Sequence, residues 1–256
     1  MTTLDTTGSR QANPRTALVS GGIGGLGTAI CIALARAGRR VVALDLPRPS
    51  SIDMFRQAVD GLDVTFQPLD VTDFDTCRDT VQAVQARHGS VDILVNAAGI
   101  TRDTTLRKMD KLQWDAVMGV NLDGVFNLTR HVVDGMVAAG FGRIVNISSV
   151  NGQTGQFGQA NYSASKAGMH GFTMALAREV ARKGVTVNSV SPGYCETPLV
   201  LAMPDEIRAG IVQGVPVGRL GRPDEIARVV EFLSADASAF ITGANIPVNG
   251  GLFMSF

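Results

Sequence analysis

From Thr16 onward the chain alternates short β-branched, apolar runs with longer stretches in which apolar positions recur at helical spacing. The short runs are Thr16–Ser20, Arg40–Asp45, Val64–Pro68, Ile93–Asn96, Arg143–Ile147, Thr186–Ser191 and Asn245–Val248. Several are apolar throughout, as in Val41-Val42-Ala43-Leu44 and Ile93-Leu94-Val95. Such runs predict strands covered on both faces, the usual state of a parallel sheet. Leu26–Gly38, Asp73–His88, Leu112–Val137 and Ala160–Lys183 predict the helices that cover it. Right-handed crossovers then give an α/β fold, a doubly wound parallel sheet of seven strands with helices on both faces. In such a sheet the ligand crevice lies beyond the carboxyl ends of the strands.

Composition narrows the function without naming it. The 256 residues show no linker-like break, which predicts one domain over 16–256 behind a polar, flexible tail over 1–15. The 23 basic and 23 acidic residues balance, so no net field favours nucleic acid or an anionic membrane. No segment approaches the roughly 18 apolar residues of a membrane span, and the tail has no apolar core of a signal peptide. A cytoplasmic location is the expectation. Cys31, Cys77 and Cys195, and His88, His131 and His170, are scattered without metal-ligand spacing. Reduced thiols and no metal centre are expected.

The run Gly21-Gly22-Ile23-Gly24-Gly25-Leu26-Gly27 falls between the first strand and the first helix. There, bare backbone amides and a helix N-terminus suit a pyrophosphate, which predicts a Rossmann-type dinucleotide site. Two glycine registers fit, G-x-G-x-x-G from Gly22 and G-x-x-x-G-x-G from Gly21, and spacing alone leaves both open. Asp45 ends the second strand, where a carboxylate can accept from ribose hydroxyls and would repel a 2′-phosphate. No Arg or Lys lies in the glycine loop. NAD(H) is therefore the expected cofactor, with NADP(H) left open by Arg39, Arg40 and Arg48 beside that strand.

Tyr162 and Lys166 are one helical turn apart and share a face. An ammonium beside a phenol is expected to lower the tyrosine pKa and make it a usable acid or base. Ser149 follows the fifth strand, Asn96-Ala97-Ala98-Gly99 the fourth and Pro192-Gly193 the sixth, all facing one crevice. The two hydroxyls can meet alkoxide charge that develops when a carbonyl accepts hydride.

Ser20-Gly21 with Gly25 and Gly27, Asp70-Val71, Asn96-Ala97-Ala98-Gly99, Asn121, Ser149, Tyr162, Lys166 and Pro192-Gly193 follow one another in the order of the short-chain dehydrogenase/reductase family. The chain resembles that family from Thr16 to the C-terminus. The resemblance selects the register of Gly21, Gly25 and Gly27 and implies cofactor contacts from these glycines, Leu26, Asp45, Asp70, Val71, Asn96, Gly99, Tyr162, Lys166, Pro192, Gly193 and Thr197. It implies that Ser149 holds the substrate oxygen, Tyr162 gives its proton, Lys166 binds the nicotinamide ribose and Asn121 positions a relay water.

The stretch Ser148–Tyr162 is also similar to acetoacetyl-coenzyme A reductases of polyhydroxybutyrate synthesis, as are Ile100–Asp103 and Gly168–Leu176. This implies reduction of a short 3-oxoacyl-CoA to an (R)-3-hydroxyacyl product, with Gln156, Phe157, Gln159 and Tyr194 at the acyl group. Those reductases usually favour NADPH and lack an acid at the position of Asp45, so the physiological direction stays open. Residues 195–215 read as a lid. A 3-oxoacyl-acyl-carrier-protein reductase is the alternative. Gly135–Gly142 lacks the basic run common in such reductases, whereas Arg178, Arg182 and Lys183 keep a carrier-protein partner open. A non-catalytic nucleotide sensor is the remaining reading, opposed by the filled tetrad. The helices at Leu112–Val137 and Ala160–Lys183 match those that pair in the family's tetramers, implying a homotetramer with the C-terminal segment near an interface.

Overall fold

The structure is a computed structural model that describes residues 14–254. The tail expected over 1–15 lies outside the described residues except for Pro14 and Arg15. Arg15 is pinned: its guanidinium donates to Asp236 at 2.6 and 3.0 Å and lies 3.2 Å from the Phe141 ring centroid.

Seven parallel strands form one sheet: β1 (Thr16–Ser20), β2 (Arg40–Asp45), β3 (Val64–Pro68), β4 (Ile93–Asn96), β5 (Gly142–Ile147), β6 (Val185–Pro192) and β7 (Asn245–Val248). Their order is β3-β2-β1-β4-β5-β6-β7. The chain winds outward from β1 to β3, then crosses back to β4, so the order reverses between β1 and β4 and a crevice opens at their carboxyl ends. The helices are α1 (Gly25–Arg36), α2 (Pro49–Ala58), α3 (Phe74–His88), α4 (Lys111–Met118), α5 (Gly124–Ala139), α6 (Asn151–Thr154), α7 (Ala160–Val180), α8 (Pro198–Leu201), α9 (Asp205–Gly214) and α10 (Pro223–Ser234).

The pleat divides the core in two. Ala17, Val19, Val41, Ala43, Ile93 and Val95 point to one face and bury Ile30 and Leu34 of α1 with Val230 and Leu233 of α10. Leu18, Val42, Leu44, Leu94 and Ile144 point to the other, against Val81 of α3, Leu128 and Val132 of α5, and Ala177 of α7. Each fully buried aliphatic side chain contributes roughly 1.5–3 kcal/mol. Because both faces are covered, the central strands β1, β2 and β4 carry no polar alternation, which is why their sequence runs read as continuous, whereas the edge strand β3 alternates.

One expectation needs correction. The single helix expected over Leu112–Val137 is α4 and α5 joined by a π-helical turn, Gly119–Asp123. Asn121 sits in that turn, wholly buried, and its amide is drawn out of helical register by hydrogen bonds to another segment. The segment expected as a lid over 195–215 contains α8 and α9, the latter with no buried residue. Finally, α2 and α10 were not anticipated, although each opens with Pro at its first turn.

Candidate active site

The β1–α1 turn is built from backbone alone. Gly21 has φ +65°, and a Cβ there would lie 2.8 Å from Ala97 and Ala98 of the β4 loop. A Cβ on Gly27 would collide with the Gly21 carbonyl oxygen. Both positions therefore exclude any larger residue. The Ser20 hydroxyl accepts from the amides of Ala97 and Ala98 at 3.1 and 3.3 Å, tying the two loops together. Helix α1 begins after Gly24 without a side-chain cap and has no acid in its first turn, so its first amides keep their capacity for an anion. Leu26 packs partly buried against the core below. Gly25 faces the start of α8, since a Cβ there would lie 3.0 Å from Pro198 and 3.3 Å from Thr197. These residues fit a dinucleotide, whose phosphates need close, uncovered backbone.

Along the neighbouring strand ends, Asp45 closes β2, and its Oδ1 accepts from the Leu46 amide at 2.8 Å and the Arg48 guanidinium at 2.9 Å. The Arg48 pair bears on the cofactor question raised by the sequence, because it takes up part of the charge of Asp45. Asp70 is exposed, and its Oδ1 accepts from the amide and hydroxyl of Thr72. Val71 is buried, held by Asn127, whose amide donates to the Val71 carbonyl at 2.8 Å. Asn96 points inward: its amide donates to Asn146 Oδ1 at 2.9 Å and Thr129 Oγ1 at 3.2 Å. Asn146 in turn donates to Thr173 at 2.9 Å, so a buried polar ladder joins β4, β5, α5 and α7. Asn96 thus supports the crevice from beneath, at 2% exposure.

Asn121, Ser149, Tyr162 and Lys166 come together above β4 and β5. Asn121 accepts from the Ile100 amide at 2.8 Å and donates to the Ile100 carbonyl at 3.0 Å and to Ser165 at 3.2 Å. Lys166, one turn beyond Tyr162 on α7, donates to the Ile147 carbonyl at 2.7 Å. Gly99 lies between them: a Cβ there would be 3.5 Å from both Asn121 Oδ1 and Lys166 Nζ. The Ser149 hydroxyl accepts from the Asn151 amide at 3.1 Å and lies close enough to the Tyr162 phenol to influence its pKa. On the β6 side, the Pro192 carbonyl accepts from Val150, and Gly193 packs within 2.9 Å of Asn249 measured from a Cβ position.

The electrostatics differ from the expectation for Tyr162. Its phenol pKa is raised, chiefly by burial, while the hydrogen bond with Ser149 draws it back down. Lys166 is itself buried, and burial lowers its pKa from 10.5 to about 8. The ammonium lies 5.8 Å from the Tyr162 ring centroid and donates its hydrogen bond to the Ile147 carbonyl. Desolvation of both groups therefore outweighs the acidification expected from their spacing.

The expected acyl-site residues fall into two kinds. Gln156 and Phe157 are exposed, Phe157 at 87%, on the loop between α6 and α7. Tyr194, half-buried, lines a cavity of about 150 Å³ with Val215, Val217, Ile226 and Val248. Gln159 is already engaged within the chain: Oε1 accepts from Asn151 at 2.9 Å and Nε2 donates to Asp103 at 2.8 Å. Asn151 and Asp103 were not recognised as site residues in the sequence; only their place in motif-like segments could have drawn notice. Among the described residues no group of three or more His, Cys, Asp or Glu could hold a metal, and no helix is long and apolar enough to cross a membrane.

A family model described as enoyl-(acyl carrier protein) reductase matches residues 21–253. The chain is 57% identical over 243 residues to an acetoacetyl-CoA reductase of Allochromatium vinosum, covering 94% of this chain and 99% of that one. The chain belongs to the short-chain dehydrogenase/reductase family. An acetoacetyl-CoA reductase of Cupriavidus necator is 52% identical, with 94% and 98% of the two chains covered. A 3-oxoacyl-acyl-carrier-protein reductase of Thermotoga maritima is 42% identical, with 92% and 96% covered. The crystal structure of gox2181 matches with a TM-score of 0.88 at 36% identity, covering 94% of this chain and 96% of that one. As a short-chain dehydrogenase/reductase the protein is an oxidoreductase that uses a nicotinamide dinucleotide.

Proposed function

We propose that this oxidoreductase reduces acetoacetyl-CoA, or a similarly short 3-oxoacyl-CoA, to the (R)-3-hydroxyacyl-CoA, with NADH preferred over NADPH. The observation that carries the reading is the meeting of Asn121, Ser149, Tyr162 and Lys166 at one crevice, in a chain 52–57% identical to acetoacetyl-CoA reductases.

The bound cofactor supplies hydride to the substrate carbonyl carbon. The turn of Gly21, Gly25, Leu26 and Gly27 receives its pyrophosphate, Asp70 and Val71 its adenine, and Asn96, Gly99, Pro192, Gly193 and Thr197 border the rest. Asp45 accepts from the adenosine ribose hydroxyls and opposes a 2′-phosphate. Ser149 donates to the substrate oxygen and so meets negative charge as it develops. Tyr162, kept protonated by burial, gives that oxygen its proton. Lys166 holds the nicotinamide ribose, and Asn121 seats the water that returns the proton. Gln156, Phe157, Gln159 and Tyr194 form the acyl site.

Two features extend the reading. Ala164, Ala167, Gly168, Gly171 and Met174 give α7 an exposed face of small and apolar residues, and Phe126 of α5 is exposed as well. That face suits helix pairing between copies, and light scattering is expected to give about four chains per particle; a monomer would count against it. The balanced charge and the absence of a membrane-crossing helix among the described residues support a cytoplasmic location.

Kinetics with the purified enzyme test the proposal by crossing NADH and NADPH with acetoacetyl-CoA and acetoacetyl-carrier-protein. The highest kcat/KM is expected for NADH with acetoacetyl-CoA. A strong carrier-protein preference would support the alternative, which the 42% identity to a carrier-protein reductase and the exposed Arg178, Arg182 and Lys183 favour. Tyr162→Phe is expected to keep cofactor binding and lose most turnover, and near-normal rates would remove Tyr162 as the acid.

A further inference from the structure

We infer that Tyr194 sets the length of acyl chain the enzyme accepts, its ring being the partition between the acyl site and the apolar cavity of about 150 Å³ that it lines. The inference rests on the reading of the substrate as a short 3-oxoacyl-CoA with its acyl group at Tyr194.

The acetoacetyl chain ends one methyl group beyond the reacting carbonyl, so it needs no space behind Tyr194. The structure provides such space nonetheless. The cavity lies where the carboxyl ends of β6 and β7 meet α10, and Gly193 and Tyr194, which follow β6, form one of its walls. Val215, Val217, Ile226 and Val248 give it aliphatic surface. The polar groups beside them are already paired. Arg219 donates to the two carboxylate oxygens of Glu225 at 2.7 and 2.8 Å. Asn249 donates to the Phe253 carbonyl at 3.0 Å and accepts from the Gly251 amide at 2.9 Å. What the cavity offers a guest is hydrocarbon contact, and the guest it suits is an aliphatic chain. Apolar cavities of this size admit a molecule as large as benzene, so about four further carbons fit.

The wall is fixed except for one side chain. The Gly193 amide donates to the Val248 carbonyl at 3.0 Å, and the Tyr194 carbonyl accepts from the Gly221 amide at 2.9 Å. A Cβ on Gly193 would lie 2.9 Å from Asn249, so the main chain is packed close on that side. With the backbone held by β7 on one side and by Gly221 on the other, the Tyr194 ring decides whether acyl site and cavity are one space or two. A ring of that size stops a four-carbon chain, and its removal lets a six-carbon chain run on into the cavity. Each methylene moved from water to apolar surroundings favours binding about fourfold, so the two extra methylenes of 3-oxohexanoyl-CoA give at most about fifteenfold.

The test is the ratio of kcat/KM for 3-oxohexanoyl-CoA to that for acetoacetyl-CoA, with NADH, in which changes common to both substrates cancel. Tyr194→Ala is expected to raise this ratio about tenfold over wild type. Tyr194→Phe keeps the ring without its hydroxyl and is expected to leave the ratio within about twofold. Val215→Met lengthens a buried side chain that lines the cavity. Alone it is expected to leave the ratio unchanged, and combined with Tyr194→Ala to cancel most of the gain. A wild type that does not reduce acetoacetyl-CoA would defeat the substrate reading, and the inference with it. Where wild type does reduce it, three results each overturn the partition: an unchanged or lower ratio in folded Tyr194→Ala, an equal shift in Tyr194→Phe, or a gain that Val215→Met does not reverse. A cooperative urea transition shows that Tyr194→Ala is folded; if it is lost, Tyr194→Leu, which also fills less space than the ring, is judged by the same criteria.

Discussion

Lys166 makes the chain less stable than it could be, and the cost can be measured. Its amine is 3% exposed, and burial lowers its pKa from 10.5 to about 8. Below about pH 8 both folded and unfolded chains carry the proton, and the folded state bears the full penalty of a buried charge. Between about 8 and 10.5 the unfolded chain still binds the proton while the folded chain has released it. Stability therefore rises with pH in that window, and above it the penalty is gone. A shift of this size corresponds to about 3 kcal/mol. Lys166→Met removes the titrating group at similar length. Urea unfolding of wild type and variant without cofactor, from pH 7 to 10.5, is expected to show wild type gaining about 3 kcal/mol on the variant across the window. The lost bond to the Ile147 carbonyl offsets the variant by a constant and does not alter this difference. Parallel stability curves for the two proteins would refute the reasoning, because the amine would then be no harder to charge when folded.

Other perturbations follow from the same geometry. Gly21→Ala forces a Cβ to 2.8 Å from the Ala97–Ala98 backbone at φ +65°, and is expected to cost about 1–3 kcal/mol and to weaken cofactor binding measured by fluorescence titration. Leu94→Ala, at a wholly buried position of β4, is expected to lower unfolding free energy by about 2–5 kcal/mol in denaturant titration. Asp45→Ala releases Arg48 from its ion pair and removes the repelling carboxylate, so the ratio of kcat/KM for NADPH to that for NADH is expected to rise by about tenfold or more; an unchanged ratio would show that Asp45 does not face the ribose.

The strands were legible because burial on both faces leaves an apolar run with few competing interpretations. Gly142 extends β5, and Val185 and Pro192 extend β6, beyond the pattern, boundaries set by pairing with neighbours. The π turn was not legible, since Asn121 leaves helical register through bonds to Ile100, twenty-one positions away in the chain. Helices α8 and α9 were not anticipated: α8 has only four residues, and α9 buries nothing against the rest of the fold. Within the site, the motif positions were readable as residue types, and so was the shared face of Tyr162 and Lys166. Their electrostatics were not, because the sign of the Tyr162 shift depends on how much of the phenol is removed from water. The two bonds of Gln159 were equally hidden: an amide looks the same in sequence whether it awaits a ligand or is already bonded at both ends.

The wide turn at Gly119–Asp123 makes this helix pair tolerant of a change in length there. A π turn holds one residue more than an α turn, so deleting one residue there would let the backbone close into a regular ladder with the downstream face kept. The same deletion in the first turn of α5 would swing everything downstream by about 100° and shorten the rod by about 1.5 Å. Leu128 and Val132 would then leave the sheet, and Asn127 would lose the Val71 carbonyl. At the turn itself the loss falls on Asn121, whose bonds to Ile100 hold that part of the crevice.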